Sequence, residues 1–166
     1  MDTKEFLANY YQNYDEDGRL ISRHGKVEYI TTMKYVEKYL QPGMCIMEIG
    51  AATGRYSHAL AQKGYRVDAL ELLEHNIEIF KQNTLQGEPV TITQGNAMDL
   101  SAFESDTYDI TLLLTVWVML VFYHTDLFAD KFTTLLKSAC SIQSPLILFQ
   151  IHGISLRCIV EKILTS

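Results

Sequence analysis

The sequence predicts an α/β fold: a mostly parallel sheet of about five strands, with helices on both faces and an N-terminal helical cap. Two observations lead to this prediction. Between residues 44 and 151, short apolar runs alternate with segments of helical periodicity, and such alternation is typical of parallel sheets whose strands are connected by helices. The residues before 44 contain helical patterns and no apolar strand. We therefore expect a helical cap or lid over residues 1–42 and a sheet-containing core over residues 43–166.

The composition is that of a single globular domain. With 166 residues, 48% of them hydrophobic, the chain is long enough to bury a core. Its net charge of −6 argues against a general nucleic-acid or membrane surface. Three cysteines without C-x-x-C spacing indicate reduced thiols, and the acidic N-terminus lacks an apolar signal region, so we expect a cytoplasmic protein. The apolar run 110–123 is shorter than the roughly 18–20 residues that span a bilayer, so we expect a buried strand there.

Spacing, together with Gly and Pro positions, predicts the individual elements. The cap is predicted to contain a helix over 4–14, a polar loop over 14–29 and a second helix over about 29–40, which ends before Pro42-Gly43. In the core, the predicted strands are 44–49, 65–71, 90–93, 108–114 and 146–151, and the predicted helices are about 54–63, 74–84, 126–141 and 154–164.

The turn after the first strand is the main candidate site. It reads E-x-G-x-x-x-G, with Glu48, Gly50 and Gly54 at the three defined positions. Glycines let the backbone approach a ligand, and the free N–H groups of the following helix face it. A dinucleotide fingerprint needs glycine at its first, third and sixth positions, which here hold Gly50, Ala52 and Arg55. A nicotinamide-dependent oxidoreductase is therefore disfavoured.

Polar residues also follow the next two strands. Glu71 ends the second strand, where a carboxylate can accept both ribose hydroxyls of an adenosine, and Gly95-Asn96-Ala97 follows the third strand. Because ligands of such sheets bind at the carboxyl ends of the strands, we expect these residues to line one cleft with the glycine turn.

These segments, with Tyr108-Asp109 opening the fourth strand, resemble in order and spacing the class I S-adenosylmethionine-dependent methyltransferases of the small bacterial type. The resemblance covers residues 43–114 and implies a Rossmann-like core, S-adenosylmethionine as cofactor and direct displacement of its methyl group by an acceptor. Ala52 stands where this family usually has its middle glycine, and Asn96 stands where it usually has an aspartate. The cofactor-binding residues that the resemblance implies are Glu48, Gly50, Ala51, Ala52, Gly54, Tyr56, Glu71, Leu72, Asn96, Ala97 and Met98.

The sequence defines the substrate-binding part of the predicted site less clearly than the cofactor-binding part. The polar 14–28 segment resembles the lid of small bacterial members, so Tyr14, Arg19 and His24 are candidate lid or substrate residues. No catalytic residue is assigned, although His24 or Asp15 could serve as a base. The five histidines show no metal-ligand spacing, so no metal is expected. We expect a small-molecule acceptor and neither a nucleic-acid nor a membrane partner.

Two departures from the family pattern bear on activity. The run after the fourth strand lacks the Gly-Pro turn of many relatives, and the residues after Ile151 suffice for one helix but not for the usual last two strands. This shortened end leaves an alternative open, in which the chain is a catalytically impaired or truncated cofactor-binding module that acts through a protein partner. It also predicts self-association through strand five and the C-terminal helix, since a bare strand edge invites pairing.

Overall fold

A computed structural model describes residues 23–113, 146–151 and 154–159. The described elements are, in chain order, α1 (Arg23–Glu37), β1 (Cys45–Ile49), α2 (Arg55–Ala61), β2 (Arg66–Glu71), α3 (Glu74–Asn83), β3 (Val90–Gln94), β4 (Ile110–Leu113), β5 (Leu146–Ile151) and β6 (Ile154–Ile159). No helix in these ranges is long and apolar enough to cross a bilayer.

The strands form one sheet in the order β3-β2-β1-β4-β5-β6. The first five are parallel to their neighbours, with Ile46 of β1 opposite Val67 on one side and Ile110 on the other, whereas β6 runs antiparallel to β5. The predicted parallel α/β sheet is therefore confirmed. The predicted number of about five strands differs from the observed number. The described residues contain six strands, of which four lie within 23–113.

The main core lies on one face of this sheet. Ile46, Val67 and Ile110 are buried there, and Met33 of α1 and Leu60 of α2 pack in the same cluster. Phe80 of α3 joins Ala51 and Ala69 in a smaller cluster. Because Ala69 lies two residues from Val67 on the same strand, its side chain points to the same face. All three described helices therefore cover one face, and the helix predicted over 126–141 lies outside the described residues.

Side-chain and backbone hydrogen bonds connect neighbouring strands of the sheet near their amino ends. Asp68 of β2 accepts hydrogen bonds from Thr91 Oγ1 at 2.6 Å and from the Tyr108 hydroxyl at 3.0 Å. The neighbouring Asp109 accepts from the Cys45 N–H at 2.8 Å, and its own N–H donates to the Cys45 carbonyl at 2.9 Å. The Tyr108-Asp109 pair thus fixes the start of β4 against β1 and β2.

The predicted boundary between loop and helix in the cap is wrong. Helix α1 begins at Arg23, so the second part of the loop predicted over 14–29 is helical. Gly25 lies within α1 and is buried there. The rest of the predicted cap, residues 1–22, lies outside the described residues, and the domain boundary at 42–43 stays a prediction.

The predicted C-terminal helix is also wrong over the residues that the structure describes. Ile154–Ile159 forms the antiparallel strand β6, which pairs along its whole length with β5. Only two residues, His152 and Gly153, separate the strands, and a two-residue connection with glycine is typical of a tight hairpin. The expectation that no strand follows β5 was therefore incorrect.

The pairing of β5 with β6 also removes the bare strand edge from which self-association was predicted. The edge of β5 that was expected to be bare is hydrogen-bonded to β6. Self-association itself stays a prediction, and sedimentation at micromolar concentration would test it.

Candidate functional site

The glycine turn between β1 and α2 is built from left-handed backbone conformations. Gly50 has φ +75° and Gly54 has φ +88°, in the region that glycine adopts at little cost. The N–H groups of Gly50 and Ala51 donate to the Leu70 carbonyl of β2 at 2.8 and 3.0 Å, and Gly54 directly precedes the first residue of α2. The turn is thereby held against the end of β2.

Ala52 adopts a conformation that normally belongs to glycine. Its φ is +49°, although a Cβ in this region costs roughly 1–2 kcal/mol. The Ala52 N–H donates to Glu71 Oε2 at 3.0 Å. The residue in place of the family's middle glycine therefore keeps the backbone shape of a glycine, and the bond to Glu71 helps to hold it.

Replacing Ala52 with glycine tests this strain. We expect Ala52→Gly to leave the free energy of unfolding unchanged or to raise it by about 0.5–1 kcal/mol, because relief of the Cβ strain offsets the greater freedom of glycine in the unfolded chain. Ala59→Gly in α2 is the control, and it should lose about 1 kcal/mol, as expected within a helix. Urea unfolding measures the free energy of unfolding of both variants. An equal loss of this free energy at the two positions would show that the Ala52 backbone is not strained.

Glu71 joins the first two loops of the site. It is buried at the end of β2, and besides the Ala52 N–H its carboxylate accepts the Leu73 N–H at 3.0 Å and the Asn76 side-chain amide at 3.2 Å. The two carboxylate oxygens offer about four acceptor positions, of which these three donors use three. Glu71 is thus fixed in place by protein donors while it keeps capacity to accept from a ligand hydroxyl.

The loop after β3 reaches the same place. The Gly95 N–H donates to the Glu71 carbonyl at 2.9 Å, and the Gln94 side-chain amide donates to the Leu72 carbonyl at 3.3 Å. Asn96 is exposed, and its Oδ1 accepts the Met98 N–H at 3.0 Å. An adenine amino group would therefore share this oxygen with the Met98 N–H.

Glu48 is the second acid of the site. Its side chain is fully buried, and its Oε2 accepts a hydrogen bond from Ser57 Oγ in the first turn of α2. Its Oε1 is buried and has no hydrogen-bond partner among the residues that the structure describes. Burial raises the pKa of Glu48 from 4.5 to about 7; the Ser57 hydrogen bonds oppose this shift, and the charge of Glu71 adds to it.

The raised pKa of Glu48 makes stability depend on pH. Because its folded-state pKa lies above the unfolded value, its contribution is full below about pH 4.5 and is lost as pH rises through about 7. We expect Glu48→Gln, which is neutral at every pH, to be more stable than the wild type by about 1–3 kcal/mol at pH 8, relative to the difference at pH 4.5. Urea unfolding of both proteins across pH 4.5–8 measures this, and parallel curves would contradict it.

Residues 46–139, more than half of the chain, match the methyltransferase domain family. The chain belongs to this family. The predicted identity as a class I S-adenosylmethionine-dependent methyltransferase is therefore confirmed. No curated protein sequence matches the chain.

Solved structures resemble this chain in fold. The PH0226 protein of Pyrococcus horikoshii OT3 aligns with a TM-score of 0.66 at 18% identity, over 85% of this chain and 65% of its own. Magnesium protoporphyrin IX methyltransferase of Synechocystis PCC 6803, in a structure with bound S-adenosylmethionine, aligns with a TM-score of 0.65 at 18% identity, over 90% and 76%. The bifunctional kinase-methyltransferase WbdD aligns with a TM-score of 0.56 at 18% identity, over 83% of this chain but only 29% of its own. At these identities the likeness shows the fold alone.

The remaining predicted site residues differ in their surroundings. Ala51 is buried against Phe80, and Tyr56 lies in the core with its ring centroid 5.2 Å from that of Tyr29, while Met98 is exposed. His24 lies in the first turn of α1. Tyr14 and Arg19 lie outside the described residues. Their roles in binding stay predictions.

Sequence reasoning missed two residues that hold the site acids. Ser57 donates to Glu48, and Asn76 donates to Glu71, each from the first turn of the helix that follows the acid. The sequence does contain a pattern that could have identified Ser57 and Asn76. A buried carboxylate needs a hydrogen-bond donor, and a short polar side chain in the first turn of the following helix can reach it. Periodicity alone does not distinguish such a residue from an ordinary polar position.

Proposed function

We propose that this chain transfers a methyl group from S-adenosylmethionine to a small-molecule acceptor by direct displacement. The observation that carries the proposal is the position of Glu71, a buried carboxylate at the end of β2 that is tied to the glycine turn through the Ala52 N–H. Family membership and the fold-level neighbour with bound S-adenosylmethionine support the same cofactor.

The described residues fit this cofactor. Glu71 has one acceptor position left for a ribose hydroxyl, and the Gly50–Gly54 turn has no side chains at its two glycines. The Gly95-Asn96-Ala97 loop is attached beside Glu71 and offers amide and backbone groups to the adenine edge. These donors, acceptors and glycine positions at the ends of β1, β2 and β3 support the proposal.

When bound, S-adenosylmethionine supplies a methyl group on a positively charged sulfur, which a nucleophile can take directly. The part of this chain is then to align the two reactants and to exclude water. Glu71 and the glycine turn would fix the nucleoside end, because both are themselves held by hydrogen bonds to neighbouring strands and loops. The alternative of a binding module without catalysis is not favoured by the family match.

A methyl-acceptor screen tests the proposal. The full chain is incubated with methyl-labelled S-adenosylmethionine and a panel of small molecules that carry oxygen, nitrogen, sulfur or carbon nucleophiles. We expect labelled product and S-adenosylhomocysteine with at least one acceptor class, and strong loss of both in Glu71→Ala. Labelled product that is independent of Glu71 would contradict the assigned site. Cofactor binding without turnover on any panel member would favour the binding-module alternative.

A further inference from the structure

A buried hydrogen-bonded pair connects α2 to the loop between α3 and β3. The Nδ1 atom of His58 lies 3.0 Å from Glu88 Oε2, and the two side chains are only 10% and 2% exposed. Glu88 is itself held in the loop, because its Oε2 also accepts the Leu85 N–H at 2.9 Å and its carbonyl accepts the Val90 N–H at 2.8 Å. Glu88 therefore gives the His58 ring a fixed partner.

The other nitrogen of the His58 ring lies against the glycine turn. A Cβ placed on Gly54 would be 2.8 Å from His58 Nε2, so the ring approaches this glycine closely. The two residues are also joined through their backbones, since the His58 N–H donates to the Gly54 carbonyl at 2.8 Å. The Gly54 N–H donates to the Ala51 carbonyl at 2.9 Å and is not available to Nε2. The imidazole thus extends from Glu88 to the turn.

Stability alone does not explain why this position holds a histidine. A carboxylate only accepts, so His58 Nδ1 carries the hydrogen of the bond to Glu88. The other polar atom of each side chain, His58 Nε2 and Glu88 Oε1, is buried and has no hydrogen-bond partner in the part of the chain that the structure describes. Such atoms are costly, and apolar side chains in place of a buried polar pair are often equally stable or more stable. An apolar side chain cannot supply a ring direction that is fixed by a hydrogen bond.

We propose that His58 is a positioning residue for the cofactor site: held by Glu88, its ring fixes Gly54 and thereby the glycine turn in the shape that binds S-adenosylmethionine. Three contacts define the place of the ring, namely Glu88 at Nδ1, Gly54 beside Nε2, and Phe80, whose ring centroid lies 4.5 Å away. Neither His58 nor Glu88 is among the residues assigned to contact the cofactor, so both act through the turn. This inference rests on the proposed function.

Hydrogen exchange of the 166-residue chain, labelled with 15N at its nine glycines, tests the link without any ligand. Gly54 and Gly64, which lie before and after α2, form a matched pair, because each N–H donates at 2.9 Å to a carbonyl, that of Ala51 or Ala61. We expect Glu88→Ala to raise the exchange rate of the Gly54 amide about tenfold, the order for one lost hydrogen bond to a charged group, and to leave Gly64 unchanged. Equal acceleration of both amides would assign Glu88 to global stability alone and would overturn the positioning role.

Calorimetry with S-adenosylmethionine, well below the melting temperature of each variant, measures the consequence for binding. We expect Glu88→Ala and His58→Leu each to bind about tenfold more weakly than the wild type. Glu88→Gln keeps an acceptor for Nδ1–H and should restore most of the affinity. The double variant should bind no more weakly than either single variant, because both changes break the same link. Leu85→Ala changes an exposed side chain of the same loop, and it should bind like the wild type.

The outcomes separate this inference from the proposed function. Wild-type affinity in both Glu88→Ala and His58→Leu, or additive losses in the double variant, would overturn the positioning role. Affinity in Glu88→Gln as low as in Glu88→Ala would overturn the hydrogen bond as its basis. A lack of S-adenosylmethionine binding in the folded wild type would contradict the proposed function, and the exchange rates of Gly54 and Gly64 would still decide whether His58 and Glu88 hold the turn.

Discussion

Gly54→Ala is expected to lower the free energy of unfolding by about 2–5 kcal/mol. A Cβ at φ +88° costs roughly 1–2 kcal/mol, and overpacking a core adds roughly 1–3 kcal/mol. The added Cβ would overlap the Phe80 ring and would lie 2.8 Å from His58 Nε2. Neither neighbour can easily move, since Phe80 is buried and His58 Nδ1 lies 3.0 Å from Glu88 Oε2. Urea unfolding measures the change.

Gly64→Ala is the matched control for this substitution. Gly64 has φ +91°, but a Cβ there would meet no atom within 4 Å. Only the backbone cost of roughly 1–2 kcal/mol is therefore expected. The difference between the two variants isolates the packing of Phe80 and His58 under the glycine turn. Equal losses at Gly54 and Gly64 would show that the turn does not need the close approach that we describe.

Glu71→Ala is expected to weaken S-adenosylmethionine binding by about 1–3 kcal/mol, the order for hydrogen bonds to a charged group. It should also lower the free energy of unfolding by about 2–3 kcal/mol, because the Ala52 N–H, the Leu73 N–H and the Asn76 amide lose their acceptor. Calorimetry well below the melting temperature of the variant separates the loss of binding from the loss of folded protein.

Glu74→Ala serves as the control for Glu71→Ala. Glu74 is an exposed acid in the first turn of α3, three residues from Glu71, and it tests whether any negative charge at this end of the sheet suffices. We expect it to bind the cofactor like the wild type. Wild-type affinity in Glu71→Ala would refute the ribose assignment, whatever its effect on stability.

The parallel part of the sheet and its glycine turn were predictable from the sequence. Short apolar runs preceded by glycine predicted β1 and β2 to within one residue. The acids near the carboxyl ends of these runs, Glu48 and Glu71, were thereby predicted as site residues. These features are local, since they depend on periodicity and on the backbone freedom of glycine over a few residues.

The remaining features depend on contacts that are distant along the chain. The sixth strand is defined by its pairing with β5, which overrode the helical spacing of its apolar residues. Helix α1 includes Gly25, although glycine is disfavoured within helices. The donors Ser57 and Asn76 could be recognised only once their partner acids were known to be buried.

The central claim is that the glycine turn, Glu71 and the Asn96 loop form a site for S-adenosylmethionine. The most direct test is equilibrium calorimetry of the wild-type chain at pH 8 with S-adenosylmethionine and, separately, with a reduced nicotinamide dinucleotide. The account predicts saturable binding of S-adenosylmethionine with one ligand per chain and no saturable binding of the dinucleotide. Tight dinucleotide binding, or no heat from S-adenosylmethionine with a folded protein, would contradict it.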